Sequence, residues 1–169
     1  DTSHAHLLIT SDEVRQGDAG DNGLFGGVGD DVLIGMDGND TLAGGPGGDA
    51  MSGGPGSDTF LYNSGDLDGN PDMILDFRLG ETSSDSEADV LEFHGALSGA
   101  NPDLSNIGDY LSFGPIIDNG DGTKTVDMNI DQDGTGSAGD IHVATITMTG
   151  DIGPDVLQTM IDNDQIKIS

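Results

Sequence analysis

Between Gly17 and Leu61 a large apolar residue recurs at every ninth place: Leu24, Leu33, Leu42, Met51 and Phe60. Around it the chain divides into five nine-residue units, "GDAGDNGLF", "GGVGDDVLI", "GMDGNDTLA", "GGPGGDAMS" and "GGPGSDTFL". Nine is not a helical period, and glycine at every second or third place would cost a helix about 1 kcal/mol each. Six turn residues followed by three strand residues account for the pattern. Side chains alternate along a strand, so positions seven and nine face one way and the large residue at eight faces the other, into a core. Two strands and two turns then make one coil of a right-handed parallel β-roll. Turns of units one, three and five stack on one edge, and those of units two and four on the other.

After Tyr62 the glycines thin and the pattern changes. "NPDMILDFRLGE", "ADVLEFHG", "GTKTVDMNID", "DIHVATITMTG" and "QIKIS" read as strands. "GPDVLQTMIDN" reads as a short helix with Pro154 near its first turn, and "NPDLSNIGDYLSF" as the start of another. The fold expected is all-β: a roll over 17–61, extended over 62–169 by a β-rich region with one or two short helices, and preceded by an N-terminal cap or tail at 1–16.

The turns carry the chemistry. Glycine fills the first and fourth places of every unit, Gly17 and Gly20, Gly26 and Gly29, Gly35 and Gly38, Gly44 and Gly47, Gly53 and Gly56, and the second place in three, Gly27, Gly45 and Gly54. Glycine adopts backbone angles other residues avoid and lets carbonyls crowd inward. The sixth place holds Asn22, Asp31, Asp40, Asp49 and Asp58, so a side-chain oxygen joins those carbonyls. Oxygens converging on one point suit a hard cation. Calcium, with six to eight flexible ligands, suits them better than magnesium with its tight octahedron. Ions between stacked turns would be bridged by Asn22 and Asp40, Asp40 and Asp58, or Asp31 and Asp49, giving about three full sites with half-sites at the ends. Asp72 and Asp76 have two readings, as groups closing the last half-site or as surface acids on an edge strand.

Composition supports a metal-dependent fold. The chain of 169 residues has 32 acidic residues against four Lys and Arg, a formal net charge of -28, and only four of the acids are Glu. Leu, Ile, Val and Phe make up 39 residues, about 23%, close to the roughly 20% that with high charge signals disorder. Such a chain folds poorly unless its carboxylates are neutralised. Four scattered cations disfavour nucleic acid and anionic membranes as partners. There is no Cys, and the start "DTSHAHLLITSDEV" is neither a signal peptide nor a membrane span; it reads as a cut through a longer polypeptide.

The units resemble the RTX (repeats-in-toxin) calcium-binding nonapeptide, GGxGxDxUx. Units two, four and five match well. Met36 at the second place of unit three, and Asp18 and Asn22 in unit one, depart from it and weaken the first ion site. "LITSDEVRQ" would cap the first coil. The order of pieces after the repeats, "DMILDFRLGE", "DVLEF", "DGT...VDMNIDQDG" and "VATITMTG" with a final helix and strand, resembles the C-terminal target domain of type I secreted proteins, as at the end of giant bacterial RTX adhesins. That resemblance implies export, C-terminus first and uncleaved, through an ABC transporter, membrane fusion protein and outer-membrane channel. It implies a secreted or cell-surface location and repeats that fold on external calcium, with the fragment itself a monomer.

Other constellations carry less. Asn129, Asp131, Asp133, Gly134 and Asp140 have the spacing of an EF-hand loop, but between strands they read as a solvated hairpin turn, with calcium binding the alternative. His4 and His6 fall in the N-terminal tail, and His94 and His142 are isolated in strands. No HExxH, GxSxG or phosphate loop is present, so no enzyme is expected. The competing functions are a calcium-dependent ligand-binding module for a glycan or surface, and the calcium-binding tail of a secreted protease or lipase. Positions seven and nine do not form a uniform ladder, which argues against ice binding; their mixed apolar set is expected to pack under the C-terminal half.

Overall fold

The computed structural model describes residues 12–97, 103–132, 134–135, 140–153 and 155–169. His4, His6, Asp133, Pro154 and most of the expected N-terminal tail lie outside them. Strands β1 (Val14–Gln16), β2 (Gly23–Phe25), β3 (Val32–Ile34), β4 (Thr41–Ala43), β5 (Ala50–Ser52) and β6 (Thr59–Asn63) follow one another at nine-residue intervals. They are short because a glycine-rich turn of six residues follows every three strand residues. β7 (Asp72–Arg78), β8 (Val90–His94), β9 (Leu111–Phe113), β10 (Ile117–Asp118), β11 (Lys124–Ile130), β12 (Ile141–Thr149), the helix α1 (Val156–Asp162) and β13 (Ile166–Ile168) complete the described elements.

Each strand pairs in parallel with the one eighteen residues on: Val14 with Val32, Val32 with Ala50, Gly23 with Thr41, and Thr41 with Thr59. Two sheets result. The larger runs β1-β3-β5-β7-β12-β11-β10, with β9 also on β11, and the smaller runs β2-β4-β6-β8-β13. The eighth residues Leu33, Leu42, Met51 and Phe60 are buried between the sheets, and the same core continues through Ile74, Phe77, Leu91, Phe93 and Ile146 into the C-terminal half. At the start of the row stands Arg15, exposed and ion-paired to Glu13, a polar end to the apolar stack.

The repeat register continues past Tyr62. Met73 pairs with Ala50, and Val90 with Thr59, so β7 and β8 are further strands of the roll without the glycine turns. β12 pairs in parallel with β7, after which β11, β10 and β9 add antiparallel strands. The one α-helix among the described residues is α1, begun by the Asp155 side chain accepting the Gln158 amide. The second expected helix is only a 3-10 turn at Ile107–Asp109. β13 lies in parallel on β8, placed by Gln165, which is buried. Its Nε2 donates to the carbonyls of Arg78 (2.8 Å) and Asp89 (2.7 Å), and its Oε1 accepts from the Gly80 amide at 3.2 Å.

The C-terminal half leaves the outer faces open at the first units, whereas in unit three Ala43 is buried. It widens the sheets sideways, because β8 and β12 offer the open hydrogen-bonding edges of β6 and β7 their partners. Phe25 and Val32 therefore remain 56% and 36% exposed.

Candidate metal centre

The turns stack in register because backbone amides bond between them: Gly26 donates to the Ala43 carbonyl and Gly27 to that of Gly44, both at 2.9 Å. Close stacking requires the left-handed backbone angles of Gly45 (φ 105), Gly47 (φ 139) and Gly56 (φ 137). At Gly47 a Cβ would also run into the Gly29 carbonyl oxygen of the turn before it. Gly47→Ala is accordingly expected to cost about 2–4 kcal/mol and to raise the calcium midpoint of folding at least tenfold. Gly65→Ala, where a Cβ meets nothing within 4 Å, should leave it unchanged.

The sixth-position side chains form two ladders. On one edge Asp40 Oδ1 accepts the Asn22 amide at 2.7 Å, Asp58 Oδ1 that of Asp40 at 2.8 Å, and Asp89 Oδ1 that of Asp58 at 2.9 Å. On the other, Asp31 accepts from Glu13 (2.7 Å), Asp49 from Asp31 (2.7 Å), and Asp72 from Asp49 (2.9 Å). One oxygen of each repeat aspartate is thus fixed. The second, Oδ2 of Asp31, Asp40, Asp49 and Asp58, is buried without any hydrogen-bond partner.

Those free oxygens point to the space that the first glycine leaves open. A Cβ on Gly26 would lie 2.5 Å from both Asp31 Oδ2 and the Gly44 carbonyl oxygen. One on Gly35 would meet Asp40 Oδ2 and, at 2.5 Å, the Gly53 carbonyl; one on Gly17 would meet Asn22 Oδ1 and the Gly35 carbonyl. Each space between stacked turns that the spacing predicts therefore gathers a side-chain oxygen and a main-chain carbonyl. Asn22 is the weakest member, since its oxygen is neutral and already accepts the Asp18 amide at 2.7 Å.

Four buried carboxylate oxygens without donors are untenable as bare charges. Burial pushes Asp49 and Asp58 up to about 6, with the neighbouring Asp31 and Asp40 adding repulsion. Burial likewise pushes Asp72 and Asp89 up to about 8. The chain's own cations are elsewhere: Arg15 pairs with Glu13, Arg78 with Asp85 and Glu87, and Lys124 with Asp118. Among the described residues no three acidic or imidazole side chains converge as ligands, so carbonyls must supply most of the shell. A donor set of carboxylate and carbonyl oxygens held apart by stacked turns fits calcium.

Several contributors escaped the sequence reading. Fifth-position side chains bond in the opposite direction: Asp21 Oδ1 accepts the Asn39 amide at 2.8 Å, Asp30 that of Gly48 at 3.0 Å, and Asn39 that of Ser57 at 2.9 Å. Asp, Asp and Asn at that place in the first three units were the signal. Asp89 was recoverable too, since "DVL" repeats the order of "DTF" and "DMI", an aspartate two places before a core residue. Of the two acids singled out after the repeats, Asp72 ends one ladder. Asp76 accepts the amides of Gly53 (3.0 Å) and Gly54 (3.1 Å) and the Ser52 hydroxyl (2.6 Å), standing where a further coil would present carbonyls.

In the EF-hand-like stretch the Asp131 amide donates to the Tyr110 carbonyl at 2.8 Å, and Asp140 accepts from the Ser112 hydroxyl at 3.4 Å. His94 Nδ1 lies 3.0 Å from the Ser169 hydroxyl, and His142 stands 3.5 Å from Asp127, both away from the roll's turns.

Stacked glycine turns, inward carboxylates and a single row of core side chains define a calcium-binding β-roll. A family model described as the RTX calcium-binding nonapeptide repeat (4 copies) matches residues 16–33 and 25–60. Residues 16–60 are therefore RTX repeats, which bind calcium and are typical of secreted proteins. Among solved structures, the AlgE6R3 subunit of the Azotobacter vinelandii mannuronan C5-epimerase is 24% identical, with a TM-score of 0.50 over 95% of this chain and 81% of that one. The AlgE6R2 subunit of the same enzyme is 22% identical, with a TM-score of 0.48 over 94% and 92%. The first likeness extends the shared fold beyond the repeats. No curated protein matches at a significant level. No helix among the described residues is long and apolar enough to cross a membrane.

Proposed function

We propose that the chain is a non-catalytic module that folds on calcium and directs type I secretion of a large RTX adhesin at the bacterial surface. The observation that carries the reading is the set of four buried, unpartnered carboxylate oxygens in the stacked turns. They leave folding dependent on an ion that the chain does not supply. Where calcium is scarce, a net charge of -28 keeps the chain extended and able to pass a narrow channel. Outside, calcium at about 10⁻⁴–10⁻³ M suffices for extracellular modules, and binding free energy becomes folding free energy. Its partners are the transporter, membrane fusion protein and outer-membrane channel, which meet the unfolded form.

The test is export of a reporter fused ahead of the chain in cells carrying a type I secretion system. The fusion should appear in the medium, and removal of residues 156–169, which supply α1 and β13, should abolish its appearance. Export unaffected by that removal and by loss of the whole 62–169 region would refute the secretion role.

A second reading, a calcium-dependent binding module for a glycan or surface, is favoured by the outer face of the larger sheet. There Val14, Val32, Ala50, Met73 and Thr145 form one uncharged row across five strands of a strongly acidic protein. A glycan array at saturating calcium separates the two.

A further inference from the structure

Unit one alone combines Asp18 at the second position, Asn22 at the sixth and Gly23 at the seventh, where the other units carry Val32, Thr41, Ala50 and Thr59. Asparagine followed by glycine is the dipeptide most open to ring closure, because glycine has no side chain to hinder attack of its amide nitrogen on the neighbouring side-chain carbon. The chain has two such pairs, Asn22–Gly23 and Asn119–Gly120, and the fold treats them differently.

In later units the seventh-position amide is engaged. Val32 donates to the carbonyl of Glu13, Thr41 to that of Asn22, Ala50 to that of Asp31 and Thr59 to that of Asp40, each at 2.8 Å. The Asn22 carbonyl therefore points at β4, and in a trans peptide the Gly23 N–H points the opposite way. β2 ends the smaller sheet, so that N–H faces an edge with which no strand among the described residues pairs. Gly23 itself is exposed.

Asp18 holds the Asn22 side chain. Asn22 Oδ1 accepts the Asp18 amide at 2.7 Å, and Asn22 Nδ2 donates to Asp18 Oδ1 at 3.3 Å. The first bond lies on the oxygen that gains charge when a nucleophile adds to Cγ, and the second on the nitrogen that must leave. In units two to five the matching carboxylate oxygen is buried without a partner.

At the other pair the nucleophile is occupied. The Gly120 amide donates to Asp118 Oδ1 at 2.9 Å, and Asn119 Nδ2 donates to the hydroxyls of Thr123 and Thr125, both at 2.9 Å.

We propose that Asn22–Gly23 is a self-modification site, at which the chain converts the one neutral sixth-position side chain of its repeats into a carboxylate. The Gly23 nitrogen bonds to Asn22 Cγ and gives up its proton, the Cγ–Nδ2 bond breaks, and ammonia leaves. Water then opens the cyclic imide. Attack of water at Cγ leaves aspartate; attack at the main-chain carbonyl leaves isoaspartate, whose longer main chain would part β2 from β4. Water is consumed and ammonia released. Aspartate there gives unit one the ligand that Asp31, Asp40, Asp49 and Asp58 supply in the others. The reaction needs no metal; its effect on the first ion space rests on the calcium-roll reading.

Peptide mapping by mass spectrometry of the 169-residue chain, kept in calcium at neutral pH in heavy-oxygen water, reads both pairs in one sample. Solvent oxygen should enter at Asn22 about tenfold faster than at Asn119, the factor by which a hydrogen bond to a carboxylate holds the Gly120 nitrogen back. Gly23→Val, the residue that unit two carries there, should stop the labelling at Asn22. Asn22→Asp, the product, should fill one calcium site at about tenfold lower concentration than the wild type. Equal labelling of the two pairs, or labelling of Asn22 unchanged by Gly23→Val, overturns the modification site. An Asn22→Asp chain whose calcium titration matches the wild type overturns the role given to the new carboxylate. A wild-type β signal indifferent to calcium would instead overturn the roll reading and leave the labelling result standing.

Discussion

In chelator the chain is expected to give the far-ultraviolet circular dichroism of an unfolded polypeptide, and to gain β signal cooperatively as calcium rises through about 10⁻⁴–10⁻³ M. Magnesium should substitute poorly, because carbonyls held by stacked turns cannot draw in to its short octahedral distances. The repeat half has little else to hold it. Each unit contributes one core side chain, and the turns that separate those side chains bury carboxylates that repel along each edge. The calcium response should include the C-terminal half, since one continuous core joins Leu33 to Ile166 and β7 and β8 pair directly with repeat strands. A chain that shows full β signal in chelator would remove the switch. Its acidity would then serve solubility or ligand binding.

Protons should imitate the metal, imperfectly and in a defined window. In the metal-free fold Asp72 and Asp89 lie at about 8, and Asp49 and Asp58 at about 6, against an ordinary value of 3.8. Burial raises all four, so the folded state holds its protons more tightly than the unfolded state does. The stabilisation is complete below the unfolded value and is lost as pH climbs through about 6 and then about 8. In chelator, acidification from pH 8 toward pH 4–5 should therefore restore part of the β signal. With calcium bound the dependence reverses, because protons now compete with the ion for the same oxygens. A metal-free chain equally unfolded across that range would refute the argument.

Local periodicity made the repeat half legible. Leu33, Leu42, Met51 and Phe60 fall at one phase of a nine-residue cycle, and that phase alone places them inside and the sixth-position oxygens in the turns. The eighteen-residue register follows from two strands per coil and needs no tertiary information. The C-terminal half was legible as strands but not as an arrangement. β12 joins β7 in parallel while β11 turns back antiparallel, choices set by which hydrogen-bonding edges are open. Gln165 shows the limit clearly: in sequence it is a polar residue before "IKIS", and only the fold gives it the carbonyls of Arg78 and Asp89 to bind. How far the outer faces are covered, with Ala43 buried and Phe25 exposed, was not legible, because strand alternation says which side a residue faces, not whether anything covers that side.

The eighteen-residue register also makes the number of units a matter of parity. Adding or removing two adjacent units would lengthen or shorten both sheets by one strand each and return every later residue to its present sheet and edge. Adding or removing one would exchange the sheets to which β7 and β8 belong, yet each would still pair with the strand two before it, and β12 and β13 would move with them. A single unit gained or lost within the roll therefore swaps the two edges at its N-terminal end relative to the C-terminal half and leaves the joint itself unchanged.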